Sequence, residues 1–374
     1  MHVFALLYFA MYGLLGMLSP DKEAICWPFF GNCWRFRLSD HQPLEVLLAY
    51  GAIAVLTLIA RAARDYVSTW YGLALLNVWL AGIVALDYRM RSNEVYMLLW
   101  LNAVVLLWPH KRYSVPAIIV SFYWWAGTLK LNYEWLSGAS LYGHLAIVPA
   151  RLTWVACTYV VGMEMGIVLF LLSGRRWVRN TVLAQLAAFH LESLTQIIWF
   201  YPLLMAAVLA WFVIENAFGA RAGQGTRLDQ FLKGKAPVAT YVLCAVFAAF
   251  QLAPYLYKGD KELTGQGRIF ALHMFESRQE CAVTATIHAG GQPANTVDLV
   301  VHDLPPRMVC DPLIYFDRAS NICRGNQDVP GFDIDLKMVS KRSTAPQYTT
   351  IIDDPGFCSK HEKYKIFGNN SWLK

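Results

Sequence analysis

The chain has 374 residues, of which 56% are hydrophobic and 16% charged, against about 25% charged in an average soluble domain. That balance, with 14 Trp, 19 Tyr and 20 Phe, sets it apart from ordinary soluble proteins and predicts a multi-span helical membrane protein. The formal net charge of +6 requires no nucleic-acid partner, because basic residues gather in short loops between apolar segments, as orientation in a bilayer demands.

The N-terminal stretch MHVFALLYFAMYGLLGML has no basic leader and no clear small-residue cleavage site, so it reads as a first span over 2–18 rather than a removed signal peptide. Further apolar segments follow at 44–60, 66–86, 94–109, 115–133, 152–173, 181–199, 202–217 and 237–257. Each is near the roughly 20 residues with which a helix crosses a bilayer. The stretch 181–217 reads either as two spans turning at WFYP, since Pro202 disrupts helical hydrogen bonding, or as one long kinked helix.

Charge distribution favours two spans there and nine in all. With the N-terminus in the cytoplasm, the inner loops carry Arg61 and Arg64, Lys111 and Arg112, Arg175, Arg176 and Arg179, and then Arg221, Arg227, Lys233 and Lys235. The outer loops carry Lys22, Arg35, Arg37, Arg89 and Arg91. Eight spans would put the basic loop GARAGQGTRLDQFLKGK outside, against the positive-inside rule.

Nine spans leave the tail outside. From about residue 258 the pattern changes to alternating runs such as ECAVTATIHAG and TVDLVVHDL, punctuated by Gly and Pro. The expected organisation is therefore an all-α bundle of about nine transmembrane helices over 1–257, followed by a small β-rich extracytoplasmic domain over 258–374. LIYFDRASNIC reads within it as an apolar strand ending in Asp317. Cys26, Cys33, Cys281, Cys310, Cys323 and Cys358 all fall on the outer side, an even number suited to disulfides in an oxidising compartment. CWPFFGNCW reads as one closed loop, and the tail has cysteines for two more bridges. No CxxC or His-rich spacing points to a metal.

Charged groups inside spans are costly and call for a reason. Lys130 closes the fifth segment, next to Tyr123, Trp124, Trp125 and Trp135. Its stem could lie in lipid while the ammonium reaches water, or desolvation could make it a base, with Glu134 opposing that change. Glu164, in GMEMG, reads as a packing residue or a buried acid. In the seventh segment Gln185, Glu192 and Gln196 share one helix face, while His190 points away from it beside Ser193. That stripe serves either interhelical hydrogen bonding or a polar cavity for a head group or proton relay. Glu94 and Arg151 lie near segment ends. Paired broken helices in two matching halves, the mark of many transporters, are not seen.

KLNYEWLSG, then FHLESLTQIIWFYPLLM, then GQGRIFALHMF resembles the vitamin-K-dependent gamma-carboxylase family, also called the HTTM (horizontally transferred transmembrane) family. The similarity runs from about Glu94 to Asp317. The resemblance implies a membrane helical bundle with an outer β-rich domain. It further implies chemistry in which O2 oxygenates reduced vitamin K to a strong base, a glutamate γ-carbon loses a proton, CO2 adds, and the quinone leaves as its epoxide.

The family lysine of K-L-D-x-D-W matches Lys130, implying a base toward the hydroquinone; its acidic positions match Asn132 and Glu134, and its tryptophan Trp135. The histidine of F-H-x-x-N matches His190, with Ser193 in the asparagine position. A further family histidine falls at Glu94, a change of charge that puts carboxylation in doubt. The resemblance thus nominates Lys130 and His190 as catalytic. Trp135, Glu192 and Glu94 are the candidates for contacts to a vitamin K hydroquinone or another reduced quinone. Membrane lipid and a glutamate-containing peptide or protein are the expected partners. A non-carboxylating membrane protein that binds a quinone or lipid, or a scaffold presenting its outer domain, is the other reading.

Overall fold

The computed structural model describes Trp27 and residues 42–86, 88, 91–141, 145–194, 200–218, 227–273, 278–290, 293–301, 308–360 and 364–374. The expected span 2–18, the Cys26 and Cys33 loop and Gln196 lie outside these residues.

The first part of the described chain is helical. It comprises α1 (Gln42–Ala62), α2 (Tyr66–Leu86), α3 (Asn93–Leu107), α4 (Lys111–Leu129), the single-turn α5 (Tyr133–Leu136), α6 (Thr153–Met165), α7 (Arg176–Ser193), α8 (Phe200–Phe218), α9 (Arg227–Leu232) and α10 (Val238–Leu252). Short 3₁₀ turns at Ala150–Leu152 and Ile167–Leu172 flank α6, and another at Ala253–Leu256 extends α10. Boundaries follow local chemistry. Ser92 caps α3 by accepting from the Val95 N–H at 3.3 Å. Trp108 is extended before Pro109, whose ring disfavours a helical residue ahead of it, and α3 stops there. The stretch 181–217 is divided between α7 and α8, with Pro202 in the first turn of α8, where its missing N–H leaves no intrahelical bond unmade. α4 is central: Ile118 and Ile119 are fully buried, and the core around them takes Leu101 from α3, Met163 from α6, Leu186 from α7 and Phe247 from α10.

The expected nine-span bundle is not what forms. Among the described residues two helices are long and apolar enough to cross a membrane, Ala150–Leu172 and Val238–Leu256. The physical reasons differ by segment. α3 has 15 residues, about 22 Å of helix against a hydrocarbon core of about 30 Å. α7 carries Arg176, Arg179, Gln185, His190 and Glu192 within 18 residues. α4 opens on Lys111 and Arg112 and is rich in aromatic and hydroxyl side chains. Counting aromatics as apolar made these stretches look more lipid-like than they are.

The second part pairs α11 (Lys261–Thr264), α12 (Pro312–Gly325) and α13 (Phe357–Lys360) with strands β1 (Gln279–His288), β2 (Asn295–Asp298), β3 (Asp333–Arg342) and β4 (Thr349–Asp354). The strands form an antiparallel sheet in the order β2-β1-β3-β4, with Ala285 opposite Leu336 and Val283 opposite Met338. Alternation sends Ile334, Leu336, Met338 and Ser340 to one buried face. That core also contains Leu313, Tyr315, Phe316 and Ala319 of α12. Here the sequence reading is corrected: LIYFDRASNIC is helix, not strand. Asp311 caps it through the Leu313 N–H at 3.0 Å, and Pro312 occupies the first turn, a strong helix-start pairing. Two bridges close in this domain, Cys281–Cys310 and Cys323–Cys358, while Cys157 and Cys244 are free thiols in the helical part.

The two parts share side chains. Trp27 and Tyr88 enter the second core. The Tyr88 hydroxyl donates to Asp311 Oδ2 at 2.5 Å, and Arg268 Nη1 reaches the same oxygen at 2.7 Å. Segment 268–273 is gripped by the start of α3: Arg91 donates to the Arg268 carbonyl at 2.6 Å, and the His273 N–H donates to Asn93 Oδ1 at 2.7 Å.

Candidate functional site

Lys130 ends α4, and the chain turns at once into α5. Asn132 joins the two helices: its Oδ1 accepts from the Trp135 N–H at 2.8 Å, and its Nδ2 reaches back to the Leu129 carbonyl at 2.7 Å. Trp135 is thereby fixed, with its indole N–H on the Cys157 carbonyl of α6 at 3.0 Å and its ring 5.2 Å from Lys130 Nζ.

Glycine brings the lysine to its partner. A Cβ on Gly127 would meet Met165 Cγ at 2.7 Å and Glu164 Cβ at 3.1 Å, so only glycine lets α4 and α6 touch here. The result is an ion pair, Lys130 Nζ to Glu164 Oε2 at 2.5 Å, with each residue 1% exposed. Removing two charges from water is expensive, and close mutual contact offsets that cost.

His190 occupies the buried face of α7, with Ser193 Oγ on its carbonyl at 2.8 Å. Its Nε2 lies 2.7 Å from the Tyr123 hydroxyl of α4. Its Nδ1 is buried without a hydrogen-bond partner among the described residues. Rings surround it, Phe189 at 5.0 Å and Tyr201 at 5.6 Å between centroids. The Phe189 ring also lies 6.0 Å from Lys130 Nζ, so one phenyl bridges the lysine and the histidine.

The structure thus gathers Lys130, Trp135, Glu164 and His190. It leaves two candidates elsewhere. Glu192 is half-buried on the other face of α7, where its Oε1 accepts from the Ala146 N–H at 2.5 Å. Gln185, on the same stripe, accepts from the Tyr159 hydroxyl at 2.5 Å, so the stripe serves contacts to neighbouring segments. Glu94 lies in the first turn of α3, beside the residues that grip segment 268–273. Trp124 and Trp125 stack edge to face on one another, 5.1 Å apart.

Glu134 faces the second domain. Thr344 Oγ1 donates to it at 2.6 Å and Arg342 Nη1 at 3.4 Å, and Arg342 also binds Asp260 at 2.8 Å and Glu262 at 2.6 Å. Phe189, Tyr201 and Arg342 were not singled out from the sequence. The adjacency of Phe189 to His190 and the YP start of α8 were the available signals for the first two; Arg342 had none. Compared with protein-family models, curated proteins and solved structures, the chain matches none of them.

Proposed function

We propose that the chain is a membrane-embedded enzyme that performs acid–base chemistry on a reduced quinone, in the manner of the vitamin-K-dependent gamma-carboxylase family that it resembles. The observation that carries this reading is the buried Lys130–Glu164 pair beside a histidine whose Nδ1 is buried and unpartnered. The residues present fit such a group. Trp135, Phe189 and Tyr201 surround Lys130 and His190 with aromatic rings, the surroundings that suit a flat aromatic molecule, and His190 Nδ1 is a polar atom with no hydrogen-bond partner among the described residues.

When bound, a reduced quinone supplies an acidic hydroxyl and, with O2, the oxidising chemistry; CO2 and a glutamate-containing peptide complete the carboxylase reading. Lys130 would be the base toward that group, for which its amine must first be neutral. Glu164 makes that possible: moving one proton from Nζ to Oε2 leaves a neutral amine and a neutral acid, with no net charge created. Trp135 and Phe189 keep water from Nζ. Tyr123 meets the His190 ring at Nε2, which leaves Nδ1 as its open position.

Membrane insertion is supported by Ala150–Leu172 and Val238–Leu256, of whose apolar windows 39% and 28% are buried. A core helix of a soluble protein would be mostly buried. The proposed orientation puts the disulfide-bonded domain outside, in a periplasm or an ER lumen. Lys111 and Arg112 begin α4 at the end away from that domain, while the α5 that follows its other end binds Arg342.

Incorporation of labelled CO2 into a glutamyl peptide, with vitamin K hydroquinone and O2, tests the carboxylase reading. Epoxide without carboxylated peptide would keep the quinone chemistry and reject glutamate as substrate. A second reading rests on the closeness of the pair itself: Lys130 and Glu164 would only staple α4 to α6 in a non-enzymatic, lipid- or partner-binding scaffold. Retained biological activity in a folded chain lacking both charges would favour it.

A further inference from the structure

We propose that the loop 365–369 and the end of α10 form one seat that rests the second domain on the headgroup layer of an anionic membrane. This inference rests on the membrane-spanning reading of Val238–Leu256.

That segment ends at Leu256, which is 84% exposed, and Tyr255 beside it is 61% exposed. If it spans, these two residues lie at the lipid–water boundary, where amphipathic aromatic rings concentrate. The loop is tied to that same level. The Tyr257 hydroxyl donates to the Ile366 carbonyl at 2.5 Å, and the Lys258 N–H donates to Asn369 Oδ1 at 2.7 Å. Gly368, at φ +113°, supplies the turn between these ties.

Phe367 is held there 81% exposed, an unusual cost for a large ring that meets only water. It stacks on Phe270 at 5.5 Å, Phe270 meets Phe250 of α10 at 6.1 Å, and Phe250 meets Trp100 of α3 at 5.3 Å. An aromatic row therefore runs from the bundle to the loop tip. Its rim is basic. Lys258 and Lys365 are exposed, and Lys261 Nζ lies over the Tyr255 ring at 4.1 Å. The nearby carboxylates of Asp260 and Glu262 bind Arg342, which cancels one of their two charges and leaves the three lysines in excess. Exposed rings at the level of a span end, rimmed by lysines, match a surface of acyl chains and lipid phosphates.

The test uses the full chain with Phe367 replaced by an environment-sensitive fluorescent amino acid, reconstituted into phosphatidylcholine vesicles with and without phosphatidylserine. The seat predicts protein that floats with the vesicles, blue-shifted emission, quenching by lipids labelled near the headgroup, and protection from aqueous iodide. Lys258→Glu with Lys365→Glu should reduce lipid quenching severalfold in phosphatidylserine vesicles and change little in neutral ones. Floating protein whose probe is quenched by iodide and not by lipid would overturn the seat alone. Protein that does not float would overturn the spanning reading, and the seat with it.

Discussion

Lys130 and Glu164 stand 34 positions apart and meet because Gly127 removes the side chain that would separate α4 from α6. Losing one partner leaves the other charge buried and alone. Lys130→Met should therefore lower stability by about 3–5 kcal/mol, and Lys130→Met with Glu164→Leu should regain most of it, as measured by denaturant unfolding. A double variant no more stable than the single one would show that the two charges do not compensate each other. Lys130 and His190 were singled out through the motifs of the resemblance; apolar surroundings alone would have left Lys130 a snorkelling residue. The partner of Lys130 was not, because nothing periodic links positions in different helices. Glu134 was read as a local influence on Lys130, whereas its carboxylate is committed to Thr344 and Arg342.

Elements were legible where one period dominated. ECAVTATIHAG alternates and forms most of β1, which pairs along its length with β3. α12 was misread because LIYF is as compatible with a buried strand as with a helix, and the deciding signal, Asp311 before Pro312, lies just outside it. The far end of α12 is tied to α13 by the Cys323–Cys358 bridge, which closes a loop between cysteines 35 positions apart. Replacing both cysteines by serine should cost about 2–4 kcal/mol, read as a lower denaturant midpoint for the second domain. β3 also carries a pH-sensitive contact. The His288 side chain and the Gly356 N–H, with Lys360 nearby, hold the Asp335 carboxyl below its usual range. A depressed carboxylate stabilises the fold above its unfolded pKa, and that contribution is lost as pH falls through the folded value. The gap in melting temperature between wild type and Asp335→Asn should accordingly be widest near neutrality and shrink below about pH 4. A gap that stays constant would contradict this assignment.

At the scale of the whole molecule, hydropathy overstated the number of spans. Runs of Trp, Tyr and Ala are compatible with a protein core as well as with lipid, and only helix length and packing tell them apart. Nor could it reveal how tightly the parts are joined. Arg342, on the last position of β3, holds Glu134 of α5 together with Asp260 and Glu262 before and within α11. Arg342→Ala should free these three carboxylates, weaken docking by about 1.5–3 kcal/mol and raise proteolytic cleavage near residues 258–264. Unchanged cleavage would mean that the Tyr88–Asp311–Arg268 contacts hold the junction alone. The central claim is that the Lys130–Glu164 pair performs quinone chemistry. Its most direct measurement is vitamin K epoxide formation by the reconstituted full chain with hydroquinone and O2, beside the charge-free Lys130→Met/Glu164→Gln variant as a folded control. The account predicts epoxide from wild type and none from the variant; equal yields from the two, or none from well-folded wild type, would contradict it.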